Sequence, residues 1–188
     1  MPLTQFDTAA LVVIDLQKGI AGLPTAHPMA DVVGRTAELA RAFRKRGLPV
    51  VLVNATGMAP GRTDAGRPKY AFPPDWQELL PELEQQSGDH LVSKQRWGAF
   101  LGTELDRYLR DRGVTQIFLT GVATSAGVES TARSAFDLGY HVVLVTDAMT
   151  DMSAEAHRHS VDVIFPRIGE TETSARVLEM IGNLPALD

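Results

Sequence analysis

The sequence predicts an α/β fold, a parallel sheet covered by helices on both faces. Three observations lead there. Strand-like runs alternate with helix-like segments along the whole chain. The runs "AALVVID" and "LPVVLVNA" are apolar almost throughout instead of alternating, as expected of strands buried on both faces. The chain has 188 residues, 44% of them hydrophobic and 22% charged, enough for one domain with a full core.

The elements follow in order. Residues 9–15 form the first strand and end in a carboxylate. Residues 31–47 form a helix: Asp31 caps it, Val32, Val33, Ala37, Ala40 and Phe43 lie close to one stripe, basic residues crowd its last turn and Gly47 ends it. Residues 48–55 are a second buried strand. The Gly- and Pro-rich stretch 56–76 is a long loop of the kind that often serves as a lid. Residues 89–94 are a short third strand, 103–113 a surface helix and 114–121 the fourth strand. "GVATSAGVESTAR" (121–133) then turns into a helix that ends near Gly139. Residues 141–148 are a fifth strand, 153–161 a short helix, "VIFPRI" (163–168) a weak sixth strand, and about 170–181 the last helix. No internal repeat or second domain is evident, so 1–188 reads as one domain.

Composition excludes several function classes. There are no cysteines, which rules out disulfides, thiolate metal sites and thiol catalysis. The formal net charge is −5 and no basic stripe exists, so nucleic-acid binding has no support. The N-terminus has no basic leader and no run is long enough to span a membrane, so a cytoplasmic protein is expected.

In parallel sheets, ligands bind beyond the carboxyl ends of the strands, where strand order reverses. The polar residues at strand ends are Asp15, Asn54, Lys94, Thr120, Thr124 and Asp147. Asp15 follows Leu, Val and Ile, so partial desolvation would raise its pKa; capping a turn is the alternative. Lys94 is either a solvated charge or, if it lies beside Asp15, the second half of a proton-handling pair. Its ammonium would then oppose the effect of burial, and the sequence leaves open which dominates. At 121–133, Thr124 or Ser125 can cap the helix, and its first N–H groups could hold a carboxylate or an oxyanion. Plain capping, with Gly127 permitting close backbone approach, is the other reading. Ser125 and Ser130 have no histidine placed to activate them. Trp97 and Phe100 are candidates for an apolar pocket wall, or for core packing or a subunit contact. Arg62 and Arg67 are candidates for a carboxylate clamp. The five histidines form no ligand pattern; His157 and His159, two apart, point to different faces of a helix. No metal and no cofactor is expected.

Three segments, "ALVVIDLQKGI", "SKQRWGAF" and "GVATSAGVESTARSAFDLGYHVVLVTDA", resemble the isochorismatase-like hydrolases, the cysteine hydrolase superfamily, in order and over nearly the whole chain. The resemblance implies a three-layer α/β/α sandwich, Rossmann-like, with a six-stranded, mostly parallel sheet. Amide-cleaving members use an Asp, a Lys and a Cys, which fall on Asp15, Lys94 and Gly127. The resemblance also implies a cis peptide at Val122–Ala123, and substrate-binding roles for Gln17, Arg96, Trp97, Phe100, Ala123, Thr124, Ser125, Ala126 and Arg62. The Asp-x-His metal motif of nicotinamidase relatives is missing from "VNATGMAPG". Without the Cys, amide hydrolysis through a thioester is lost, but vinyl-ether hydrolysis of the isochorismatase type is not, since it needs an acid and no nucleophile. The expected function is therefore hydrolysis of isochorismate or a related enol ether, with Asp15 as acid and Lys94 as its partner. The alternatives are a hydrolase of another small molecule using Asp15-activated water, and a non-catalytic member that binds a small anion. A carboxylate-bearing substrate and a homodimer or homotetramer are implied.

Overall fold

The computed structural model describes residues 8–64, 66 and 73–184. Six strands, β1 (Ala9–Ile14), β2 (Val50–Ala55), β3 (His90–Lys94), β4 (Gln116–Val122), β5 (His141–Thr150) and β6 (Glu170–Glu172), form one sheet in the order β3-β2-β1-β4-β5-β6. Every neighbouring pair is parallel. The chain builds outward from β1 to β3, then crosses back to β4 and builds the other way. The reversal lies between β1 and β4, and their carboxyl ends are Asp15 and the 121–128 turn.

β1 is central and its residues divide by parity. Ala9, Leu11 and Val13 enter the core beneath α2 (Met29–Lys45) and α7 (Ser174–Gly182). Ala10, Val12 and Ile14 enter the core on the other face, with Leu105 and Leu109 of α3 (Leu105–Asp111) and Ala132 and Ala135 of α4 (Glu129–Asp137). All six β1 residues are fully buried, which is why the segment carries no polar alternation. Gly121 allows β4 to pass β1 here: at φ 116° it takes a conformation open to glycine, and a Cβ would lie 2.0 Å from the Ile14 carbonyl oxygen.

Several expectations need correction. "VIFPRI" is not the sixth strand. Residues Ser160–Ile164 form a wide turn and Phe165–Ile168 a helical turn, α6, with Pro at its start and Phe165 buried. A proline suits the first turn of a helix, where no N–H is required. The sixth strand is the polar triplet Glu170–Glu172, paired with Val143–Val145 at the sheet edge. The last helix accordingly begins at Ser174, capped by the Thr173 side chain. Helix α2 begins at Met29 with Pro28 in the capping position, so Asp31 sits inside its first turn. β5 continues to Thr150 through an irregularity opposite β4, and Lys18–Ala21 forms an unanticipated short helix, α1.

Candidate active site

Asp15 and Lys94 meet. Lys94 Nζ donates to Asp15 Oδ2 at 2.7 Å and to the Arg96 carbonyl at 3.1 Å. The two residues are 6% and 3% exposed. They belong to strands that are not neighbours, since β2 lies between β1 and β3, so the lysine stem crosses the end of β2. Asp15 leaves the sheet in the left-handed region, at φ 53°, with its N–H still donating to Val53 of β2 at 2.9 Å. Burial wins the contest left open by the sequence: it lifts the Asp15 carboxyl to about 6, against the lowering pull of the Lys94 ammonium and its hydrogen bond. Among the described residues, Asp15 Oδ1 has no hydrogen-bond partner.

The 121–128 turn faces this pair. The Val122–Ala123 peptide is cis. Thr124–Val128 is a wide turn leading into α4. Gly127 stands against Asp15: a Cβ on it would lie 3.2 Å from Asp15 Oδ2, 3.0 Å from Ile14 Cγ2 and 3.3 Å from the Val122 carbonyl oxygen. The site is thus an acid–ammonium pair opposite a residue with no side chain.

The turn's N–H groups are less available than anticipated. Asp151, 3% exposed, accepts from both the N–H and the hydroxyl of Ser125 at 2.8 Å, and from the Ser153 N–H at 3.1 Å. The Ala126 and Val128 N–H groups donate to the Ala123 carbonyl, each at 3.1 Å. The anion that Ser125 holds is therefore the protein's own carboxylate. Thr124, fully buried, bonds through its hydroxyl to His157 Nδ1 at 2.8 Å. Burial, then the nearby His27, push the His157 imidazole below its ordinary pKa. Neither Asp151 nor the Thr124–His157 contact has a signature in sequence spacing, because α5 (Ala154–His159) reaches the turn only through the tertiary fold.

The remaining candidates differ in exposure and in partners. Gln17 is fully buried; its amide donates to the Ala55 and Trp76 carbonyls at 3.1 Å and accepts from the Ala55 N–H at 2.7 Å, so both of its donors are committed to backbone. Phe100 packs in the core beside Tyr140, at 5.8 Å between ring centroids. Trp97 is 67% exposed, which fits a surface contact better than a pocket wall. Arg96 is exposed, with its guanidinium against Gly102; Arg62 is exposed on the loop; Arg67 lies outside the described residues. Asn54 bonds the Gln77 carbonyl and the Ser93 hydroxyl, and Asp147 caps α7 through Ser174. Thr120 is buried in the sheet. Among the described residues no three His, Asp or Glu side chains gather as a metal-ligand set, and no helix is long and apolar enough to cross a membrane.

With fold and site in view, residues 9–176 match the isochorismatase domain, and the chain belongs to the isochorismatase family. It is 44% identical over 184 residues to the uncharacterized isochorismatase family protein YwoC of Bacillus subtilis, covering 94% of this chain and 95% of that one. It is 30% identical over 179 residues to the ureidoacrylate amidohydrolase RutB of Variovorax paradoxus, covering 79% of this chain and 71% of the relative. Among solved structures, an isochorismatase family protein from Burkholderia thailandensis superposes with a TM-score of 0.89 at 44% identity, covering 94% and 96% of the two chains.

Proposed function

We propose that this chain is a hydrolase that cleaves the vinyl ether of isochorismate, or of a related small carboxylated enol ether, with Asp15 as the acid and Lys94 as its charge partner. The observation that carries the reading is the buried 2.7 Å Asp15–Lys94 contact, with Asp15 lifted to about 6 and Gly127 opposite. The proton of the neutral Asp15 carboxyl adds to the terminal vinyl carbon, and the electrons of the C=C bond leave an oxocarbenium ion. Water adds to the cationic carbon and returns a proton to Asp15. The resulting hemiketal collapses to pyruvate and the free alcohol. No step needs a side-chain nucleophile, which suits a chain with no cysteine. A carboxyl held near neutrality by burial is the state general acid catalysis uses. Arg62 and Arg96, both exposed, are the candidate anchors for the substrate carboxylates.

A second reading, Asp15 as a base that activates water toward another small molecule, draws on the likeness to a ureidoacrylate amidohydrolase. The test is pyruvate release from isochorismate by the native chain, Asp15→Asn and Lys94→Ala. Release by the native chain and its loss in Asp15→Asn support the acid role. No release above background removes isochorismate as the substrate.

A further inference from the structure

We infer that Gln17 is a positioning residue for the Asp15–Lys94 pair: its side-chain amide takes over where β1 leaves the sheet and locks the ends of β2 and β3 against the turn that carries Asp15. β1 makes its last ladder bond from the Asp15 N–H to Val53, then turns away, with the Gln17 N–H donating back to the Asp15 carbonyl at 2.9 Å. From that turn the Gln17 amide reaches Ala55, the last residue of β2. It accepts from the Ala55 N–H at 2.7 Å and donates to the Ala55 carbonyl at 3.1 Å, the two-point pairing a strand residue would have made. Ala55 in turn is in register with Lys94, and the Thr56 N–H donates to the Lys94 carbonyl at 2.8 Å. Lys94 Nζ returns to Asp15 at 2.7 Å. The links close a ring: Asp15, Gln17, Ala55, Lys94, Asp15.

The other amide hydrogen donates to the Trp76 carbonyl at 3.1 Å, and the Gly19 N–H reaches the same oxygen at 2.9 Å. The point where the chain leaves β2 and the point where it returns at Trp76 are thus tied to the turn that follows Asp15. The amide is fully buried and both donors are used. A glutamine spent this way is a brace, and removing it takes the partner from the Ala55 N–H and carbonyl at the end of the ring that sets the acid–ammonium distance, while the Trp76 carbonyl keeps the Gly19 N–H.

The role in turnover rests on the proposed acid mechanism, but the geometry can be measured without substrate. Asp15 is titrated by carboxyl carbon NMR, its resonance assigned through Asp15→Asn, in the native chain and in three variants. Gln17→Met keeps the volume and loses the amide. Gln17→Asn shortens the reach by one methylene and carries the test if Gln17→Met does not fold. Lys18→Ala removes exposed ion pairs with Asp75 and Glu78 on the same stretch and serves as control. Loosening the ammonium removes what holds the carboxyl down, so both Gln17 variants move the Asp15 titration upward by roughly half a unit or more, and Lys18→Ala leaves it in place. With an active substrate, kcat falls about tenfold while KM changes little, as expected for a misplaced reacting group. An unchanged Asp15 titration in the folded Gln17 variants overturns the inference. So does a downward move toward the ordinary carboxylate range, which would report water entry instead of a loosened pair. A shifted titration in a chain that does not turn over isochorismate keeps the inference and removes only the substrate.

Discussion

The sign of the pH dependence separates the two chemical readings of Asp15. Its carboxyl is lifted from 3.8 to about 6. At pH 7 an ordinary aspartate is protonated in fewer than about one molecule in a thousand, whereas one titrating near 6 is protonated in about one in ten, a gain of about a hundredfold in the acid form. If protonated Asp15 is the acid, kcat/KM for isochorismate is flat below about pH 6 and falls roughly tenfold per unit above it. A base requires the opposite limb, rising through about 6 to a plateau. The assay is pyruvate release from about pH 5 to about pH 8, with Asp15→Asn as the blank; a rising limb refutes the acid mechanism. The same shift has a signature in stability. The folded-state pKa lies above the unfolded one, so the Asp15 contribution is complete below about pH 4 and is lost as pH rises through about 6. The loss amounts to about 3 kcal/mol, at 1.36 kcal/mol per unit. Urea denaturation across that window should show this slope in the native chain and not in Asp15→Asn. Equal slopes would mean that Asp15 is not desolvated as described.

Three further perturbations test the framework. Lys94→Met removes the cation that lowers Asp15, so the Asp15 titration followed by carboxyl NMR should move above about 6; no movement would detach the lysine from the proton chemistry. Gly121→Ala sets a Cβ 2.0 Å from the Ile14 carbonyl oxygen at a φ of 116° and should reduce stability by more than about 3 kcal/mol, read from the urea midpoint. A midpoint like the native one would contradict the β1–β4 approach. Arg44→Ala strips the buried Asp89 carboxylate of a two-point contact at 3.0 and 2.8 Å and should cost about 3 kcal/mol, with part regained in the Arg44→Ala, Asp89→Ala double variant. An additive double variant would mean the pair is not coupled.

What the sequence disclosed follows from where hydrophobicity does and does not carry information. β1 and β2 were legible because each is buried on both faces, so apolarity was continuous. β6 was not: it is three polar, half-buried residues whose strand character comes from pairing with Val143–Val145. "VIFPRI" misled for the converse reason, since a short apolar run marks burial without saying whether helix or strand does the burying. At the site, Asp15 and Lys94 are visible as strand-end residues, and the family resemblance pairs them, but the geometry of their meeting is not legible. It depends on a strand order that leaves β2 between them, on a left-handed Asp15 and on a lysine long enough to cross the gap. The resemblance implies a ligand role for Gln17, and only the fold reveals that its amide is committed to backbone. At Ser125 the sequence leaves open an anion site or plain capping, and it does not reveal that Asp151, from beyond β5, accepts from the Ser125 N–H and hydroxyl.

These corrections bear on why the chain can keep its site without a thiol. Asp15 is held by Val53 and, through the turn, by Gln17; Lys94 by Ala55, Thr56 and the Arg96 carbonyl; the 121–128 turn by Asp151 at Ser125 and by His157 at Thr124. None of these supports passes through a side chain at position 127. The hydrogen bonds that hold the Asp15–Lys94 pair are therefore made without a side chain at position 127. A Cβ there would lie 3.2 Å from Asp15 Oδ2 and 3.0 Å from Ile14 Cγ2, and glycine spares the pair that crowding. Position 127 is therefore where a side chain would press on the Asp15 carboxyl, on Ile14 and on the Val122 carbonyl, and here it is glycine.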